Sequence, residues 1–217
     1  MNSSLATTVS QLARPLPSAC LVARAEQLPQ VERESLSRLS QALDVAVELD
    51  NTARRHAVHA ALAYFAAHAD LGLLLHGSTD GATGHHDAAP TAGYRRYLLL
   101  ADPGGRYSAV AIVWDKDQYS PVHGHHTWCA YSVLQGTLSE SCFEWCEAEQ
   151  AARLNAAGAA GAATLRLPGE VSYTEAGHCG IHRLGNPHSE PAISVHIYGV
   201  PGEQITTAVN DLVAVNA

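Results

Sequence analysis

The stretch Pro121-Val122-His123-Gly124-His125-His126-Thr127-Trp128-Cys129-Ala130-Tyr131-Ser132-Val133-Leu134-Gln135-Gly136 decides how this chain is read. Its second half, from Cys129 to Leu134, has the composition of a β-strand, as does the earlier run Ala109-Val110-Ala111-Ile112-Val113-Trp114. Successive side chains on a strand point to opposite sides, so His123 and His125 share one face. Two imidazoles fixed side by side on a sheet are two ligands of a metal site, provided that a third exists. The same parity turns Thr127, Cys129 and Tyr131 the way of His123 and His125, and turns Gly124, His126 and Trp128 the other way. His126 is then a packing or outer residue rather than a ligand.

Outward from this stretch, the chain from Tyr94 onward alternates short apolar runs with turn signals. These are Asp102-Pro103-Gly104-Gly105, Asp115-Lys116-Asp117, Gly136-Thr137 and Pro168-Gly169. Short strands at such spacing predict a β-sandwich or barrel. About the first 75 residues read as helical. Leu36, Leu39, Leu43, Val45, Val47 and Leu49 recur with helix-like spacing over part of that run. Asn51 is the expected cap of a second helix, from Thr52 to about His68, with Val58, Leu62, Tyr64 and Phe65 on its apolar side. Gly77 to Gly93 reads as a loop, and the alanine- and glycine-rich residues 155–164 read as a flexible surface connection. The expected fold is mainly β (α+β), a small β-barrel or jelly roll with N-terminal helices packed outside. The 217 residues form one expected domain, helical over about 1–76 and barrel over about 94–205.

Composition narrows the function classes. With 47% hydrophobic residues the chain can bury one sizeable core. A formal net charge of -8 without a lysine or arginine cluster argues against nucleic acid and against an anionic membrane surface. No apolar run approaches the roughly 20 residues of a membrane span. Met1-Asn2-Ser3-Ser4-Leu5-Ala6 lacks the basic and apolar regions of a signal peptide. Five cysteines, Cys20, Cys129, Cys142, Cys146 and Cys179, are an odd number in a chain too large to need staples, so free thiols and a cytoplasmic location are expected. The sequence sets no oligomeric state.

The histidine spacing resembles the first motif of the cupin superfamily, in which His-x-His is followed by a glutamate and, six residues later, a glycine. Here Cys129 stands at the glutamate position and Gly136 at the glycine. The second cupin motif ends in a histidine and, after three residues, an asparagine; His182 and Asn186 have that spacing, which makes His182 the third ligand. Three neutral imidazoles without the carboxylate leave the metal charge uncompensated. An anionic thiolate then meets no competing negative charge, a difference of several kcal/mol at about 4 Å in a medium of effective dielectric near 20. An open three-histidine site suits Fe(II) and oxygen chemistry, while imidazole also suits Zn, Ni and Cu.

Three segments, Tyr94-Arg95-Arg96, Pro121 to Gly136, and His182 to Tyr198, resemble the cysteine dioxygenase family, cupin enzymes that add both atoms of O₂ to a thiol sulfur on non-haem iron. The run His182-Arg183-Leu184-Gly185-Asn186-Pro187-His188-Ser189-Glu190-Pro191-Ala192-Ile193-Ser194-Val195-His196-Ile197-Tyr198 carries most of the likeness. Independently of it, Ser194, His196 and Tyr198 alternate on a strand and face the barrel interior together, in position for a relay of hydroxyl, imidazole and phenol. The resemblance implies that Tyr198 lies beside iron and substrate, oriented by His196 and Ser194, and that Cys129 is placed for a thioether crosslink to Tyr198.

Arg96 is the expected carboxylate anchor, since a guanidinium grips a carboxylate bidentately, with Tyr94 on the same face. The frame from Tyr94 to Asp102-Pro103 is similar to a bacterial branch linked to 3-mercaptopropionate, whose late anchoring arginine is absent because no arginine or lysine follows Arg183. The resemblance therefore implies oxidation of L-cysteine by O₂ to cysteine sulfinate on Fe(II), with a small thiol and O₂ as partners. The alternatives are another thiol carboxylate (3-mercaptopropionate or mercaptosuccinate), or a metal-binding cupin that is an isomerase, sensor or storage protein. Cys142, Cys146 and Cys179 have no matching ligand partners and are assigned no chemistry.

Overall fold

The structure, a computed structural model, describes residues 20–21, 29–75, 94–155, 163–205 and 208–216. The N-terminal hexapeptide, the expected loop at 77–93 and most of the low-complexity segment lie outside the described residues. A short strand β1 (Cys20–Leu21) precedes helices α1 (Gln30–Ala46) and α2 (Asn51–His68). Then come β2 (Arg95–Ala101), β3 (Ser108–Trp114), β4 (Gln118–Tyr119), β5 (His123–His125), β6 (Cys129–Gln135), β7 (Leu138–Cys146) and β8 (Ala151–Leu154). They are followed by β9 (Thr164–Arg166), β10 (Val171–Thr174), β11 (Gly177–Asn186), β12 (Ala192–Tyr198), β13 (Asn210–Leu212) and β14 (Val215–Asn216). One sheet runs β1-β2-β3-β12-β6-β10; the other runs β13-β5-β11-β7-β8-β14, with β4 on β11 and β9 on β7. The two sheets make a mainly β fold of the barrel or jelly-roll kind with two helices outside it, the class that the turn spacing predicts.

The middle strands β3 and β12 of the first sheet are buried on both faces, which is why they read as nearly unbroken apolar runs. Ala109, Ala111 and Val113 of β3 and Ile193, Val195 and Ile197 of β12 pack with Leu36, Leu39 and Leu43 of α1 and Val58, Leu62 and Phe65 of α2. The alternate residues Val110, Ile112, Trp114 and Tyr198 form an interior cluster with Cys129, Tyr131 and Val133 of β6. Each strand thus gives one parity to the helices and the other to the barrel. At Gly136, which follows β6, φ is +74° and an added Cβ would lie 2.9 Å from Ala192, so the turn requires glycine.

Four local expectations are corrected. The cap of α2 is Asp50, whose carboxylate accepts the Thr52 and Ala53 backbone N–H groups at 3.0 Å each; Asn51 is already helical. The first 75 residues are not all helical, since Cys20–Leu21 pairs as a strand with β2. Val45, Leu49 and Tyr64 are exposed: Val45 is on the outer side of α1, Leu49 lies beyond its end at Ala46, and the Tyr64 ring stacks on His68 at the surface. The stretch His123–Tyr131 is not one strand. It breaks at 126–128 and crosses from one sheet to the other, so His126 is exposed and the Thr127 hydroxyl donates to the Gly199 carbonyl. Cys129 and Tyr131 still face the interior, as members of the other sheet.

Candidate metal centre

His123 and His125 come from β5 and His182 from β11, where His182 is the cross-strand partner of His123. Between the pairs His123–His182 and His125–Gly177, five steps along β11 match two along β5, a bulge that bends β11 around the site. The three histidines are buried, and one ring nitrogen of each lies within 4.8 Å of the others. Among the described residues this is the one grouping of metal-ligand side chains with such geometry. Gly124 separates the two β5 histidines because a Cβ there would sit 2.8 Å from the Gly177 carbonyl oxygen.

The ring orientations fit a metal. His123 Nδ1 lies 2.9 Å from the Pro121 carbonyl, and His182 Nδ1 lies 2.6 Å from Glu140 Oε1. Each Nδ1 therefore carries the proton that it donates, and each Nε2 is left with its lone pair. Burial, reinforced by the close approach of the other imidazoles, lowers His123 to a pKa of about 4 and His125 to about 2. The neutral imidazole favoured by that environment is the form that ligates. A set of three imidazoles suits a divalent transition metal.

Cross-strand register sets the surroundings of the site in three rungs. Arg96, Ile112, Ser194 and Val133 are opposite one another; so are Leu98, Val110, His196 and Tyr131; so are Ser108, Tyr198 and Cys129. Ser194 Oγ lies 2.9 Å from His196 Nε2 and accepts the Trp114 indole N–H at 2.9 Å. Tyr131 stacks on one face of His196, at 5.2 Å between ring centroids, and Tyr198 lies 6.0 Å away and nearly parallel. Arg96 donates to the Tyr94 hydroxyl at 2.8 Å, and the Tyr94 ring packs on Trp114. A continuous chain of contacts thus joins Arg96 to His196 through Tyr94, Trp114 and Ser194. Burial lowers His196 well below the usual histidine value, and the charge of Arg96 adds to the shift. Arg95, in contrast, turns to Asp115.

Three residues of the site have no signal in sequence spacing. Trp114 reads there only as an apolar strand residue. Glu140 is buried on β7, with Arg166 of β9 on its second oxygen, its Nε at 2.6 Å. Burial opposes ionisation of Glu140, but the hydrogen bond from His182 and the charge and hydrogen bond of Arg166 outweigh it and bring its pKa down to about 2. The reading of three histidines with no carboxylate in the ligand group stands, and a carboxylate lies a single hydrogen bond behind His182. A cavity of about 360 Å³ reaches His125 and His182 from the side of β7 and β10, and Cys129, Tyr131, Glu140 and Arg166 also line it. Cys142 and Cys179 stand in its wall as free thiols. Asn186 is structural, donating to the Trp114 and Glu190 carbonyls at 3.0 and 2.8 Å.

Residues 79–209 match the family model described as cysteine dioxygenase type I. Cysteine dioxygenase type 1 of Rattus norvegicus is 31% identical over 111 residues, covering 50% of this chain and 52% of its own. The Danio rerio protein of the same name is 28% identical over 117 residues, covering 52% and 56% respectively. The chain thus spans about half the length of the curated relatives that it matches. Among solved structures, a cupin 2 conserved barrel domain protein from Salinispora arenicola aligns with TM-score 0.36 and 17% identity, over 52% of this chain and 80% of that one. The model match covers more than half of the sequence, including all three histidines, Arg96 and the Ser194-His196-Tyr198 stripe. This chain belongs to the cysteine dioxygenase type I family.

Proposed function

We propose that the chain is a thiol dioxygenase that converts L-cysteine and O₂ to cysteine sulfinate. One observation carries the reading: Arg96 and the Ser194, His196 and Tyr198 side chains share the barrel interior with the three histidines. His123, His125 and His182 would hold Fe(II), which when bound supplies a centre for the reaction of a thiolate with O₂. Arg96 clamps the substrate carboxylate, with its guanidinium oriented by the Tyr94 hydroxyl. Ser194, fixed by the Trp114 indole, orients His196, and Tyr198 offers its hydroxyl on the same inward face. The apolar interior cluster limits water around the reacting sulfur.

Part of the frame shared with the 3-mercaptopropionate branch has a packing origin. Tyr97 and Leu99 face the helices, and Asp102 accepts from Arg106, which also reaches Glu48 and Asp44 of the α1 region. Tyr94 and Leu98 of the same frame pack on the interior cluster, and Tyr94 holds Arg96, so the choice of thiol rests on the substrate comparison. A metal store or sensor has no use for an inward arginine beside a polar stripe. A cytoplasmic location belongs to the same proposal, supported by free Cys129, Cys142, Cys146 and Cys179; no helix among the described residues is long and apolar enough to cross a membrane. Comparison of kcat/KM for L-cysteine, 3-mercaptopropionate and mercaptosuccinate tests the substrate. L-Cysteine should lead, and a lead for either of the others would assign the site to that thiol.

A further inference from the structure

The cupin glutamate position is occupied by Cys129, yet a carboxylate is present one contact further out. Glu140 Oε1 accepts from His182 Nδ1 at 2.6 Å, and Glu140 Oε2 receives Arg166. Glu140 is 3% exposed and Arg166 28% exposed, and this ion pair lines, beside the third histidine, the cavity on the β7–β10 side. Glu140 and Arg166 come from neighbouring strands, β7 and β9, and His182 is paired to β7 two residues away, at Cys142. The backbone therefore fixes all three side chains.

We infer that Glu140 and Arg166 are positioning residues that set the strength of His182 as a metal ligand in opposite directions. Glu140 holds the imidazole in the Nε2-ligating tautomer and makes that nitrogen more basic. Arg166 neutralises the carboxylate, so the site keeps the net positive character that three neutral imidazoles give it. The pair thereby supplies the orienting function of a carboxylate without its negative charge. This assignment rests on the three histidines as metal ligands and needs no thiol chemistry.

Near-isosteric variants separate the two effects. Glu140→Gln keeps an acceptor for His182 Nδ1 but loses the charge; Arg166→Gln keeps a donor for Glu140 but leaves its charge uncompensated. Metal affinity is measured with Co(II) or anaerobic Fe(II) alone, at about pH 8 where free histidine is neutral. Glu140→Gln should weaken binding by roughly 10- to 100-fold. Arg166→Gln should tighten it, and Arg166→Lys should restore the wild-type value. An ion pair that only stabilises the fold, broken from either side, shifts affinity in the same direction or not at all, and that result overturns the inference. Should a single variant fail to fold, the double variant contains no unpaired charge; it should bind metal within a few-fold of wild type, and a loss as large as that of the Glu140→Gln range would also overturn it. Because no thiol is present, failure here is distinct from failure of the dioxygenase reading.

Discussion

Cys129 and Tyr198 are cross-strand partners on β6 and β12, both buried and both turned into the barrel. Directly opposed residues of an antiparallel pair have Cβ atoms about 4.5–5.5 Å apart, a separation that side-chain rotation can close. Burial keeps the Cys129 thiol protonated, with its pKa pushed far up. The register places the two side chains for a bond, and aerobic turnover with iron and thiol should join the Cys129 sulfur to the Tyr198 ring, the thiol S–H and one ring C–H giving up the two hydrogens that reduce O₂ to H₂O₂. Intact mass before and after turnover checks this, with peptide mapping to the two residues. Cys129→Ser should show no mass change, and an unchanged mass in the wild type would count against the crosslink.

Arg96 faces the barrel from the rung that also carries Ser194. Replacing it with glutamine removes a charge-assisted hydrogen bond worth about 1.5–3 kcal/mol, a rise in KM of roughly 10- to 150-fold for L-cysteine. The penalty should shrink to a few-fold for 2-aminoethanethiol, which has no carboxylate. Equal penalties for both thiols would show that Arg96 does not hold the carboxylate.

Ser194 is fully buried between two partners, accepting from Trp114 and hydrogen bonded to His196. Ser194→Ala leaves the indole N–H and the imidazole nitrogen without it, at a cost of about 1–3 kcal/mol. Thermal melting should show that loss, and kcat should fall more than KM rises, because His196 loses its orientation while Arg96 keeps its own. A variant with wild-type Tm and kcat would remove the relay.

How much of this was legible in sequence follows from periodicity. A repeat of two places His123 with His125, and Ser194 with His196 and Tyr198, because a strand enforces that parity whatever surrounds it. Parity turned Cys129 and Tyr131 inward and His126 away from the ligand group, as observed; the break at 126–128, where the chain changes sheet and leaves His126 exposed rather than packed, is what it missed. Glu140 and Arg166 were not legible, since their contact with His182 depends on strand order. Nothing local in β7 distinguishes Glu140 from a surface glutamate. Asp50 and Asn51 are both good capping residues, and only the backbone decides between them.

The metal-free protein should lose stability in acid in two stages. His196, with its pKa well below the ordinary 6.5, is held neutral in the fold, as are His123, at about 4, and His125, at about 2. As pH falls below 6.5 the unfolded chain takes up a proton at each that the native state refuses, so each lowers stability by up to about 1.4 kcal/mol per pH unit. Asp102 is held below its ordinary 3.8 chiefly by its hydrogen bond with Arg106, so it adds a further loss as pH falls below that value. Melting temperatures measured from neutral pH downward should therefore decline from about pH 6.5. His196→Gln should flatten the upper part of the decline, and an unchanged slope in that variant would show that His196 is not responsible.

The most direct measurement is oxygen consumption by the protein loaded anaerobically with Fe(II) and then given L-cysteine and air, with the product identified by mass. The expected result is one cysteine sulfinate formed per O₂ consumed, with both added oxygens derived from ¹⁸O₂, and no activity in His182→Ala. Oxygen uptake without sulfinate, or sulfinate at the rate of the metal-free control, would contradict the assignment of this site as a thiol dioxygenase.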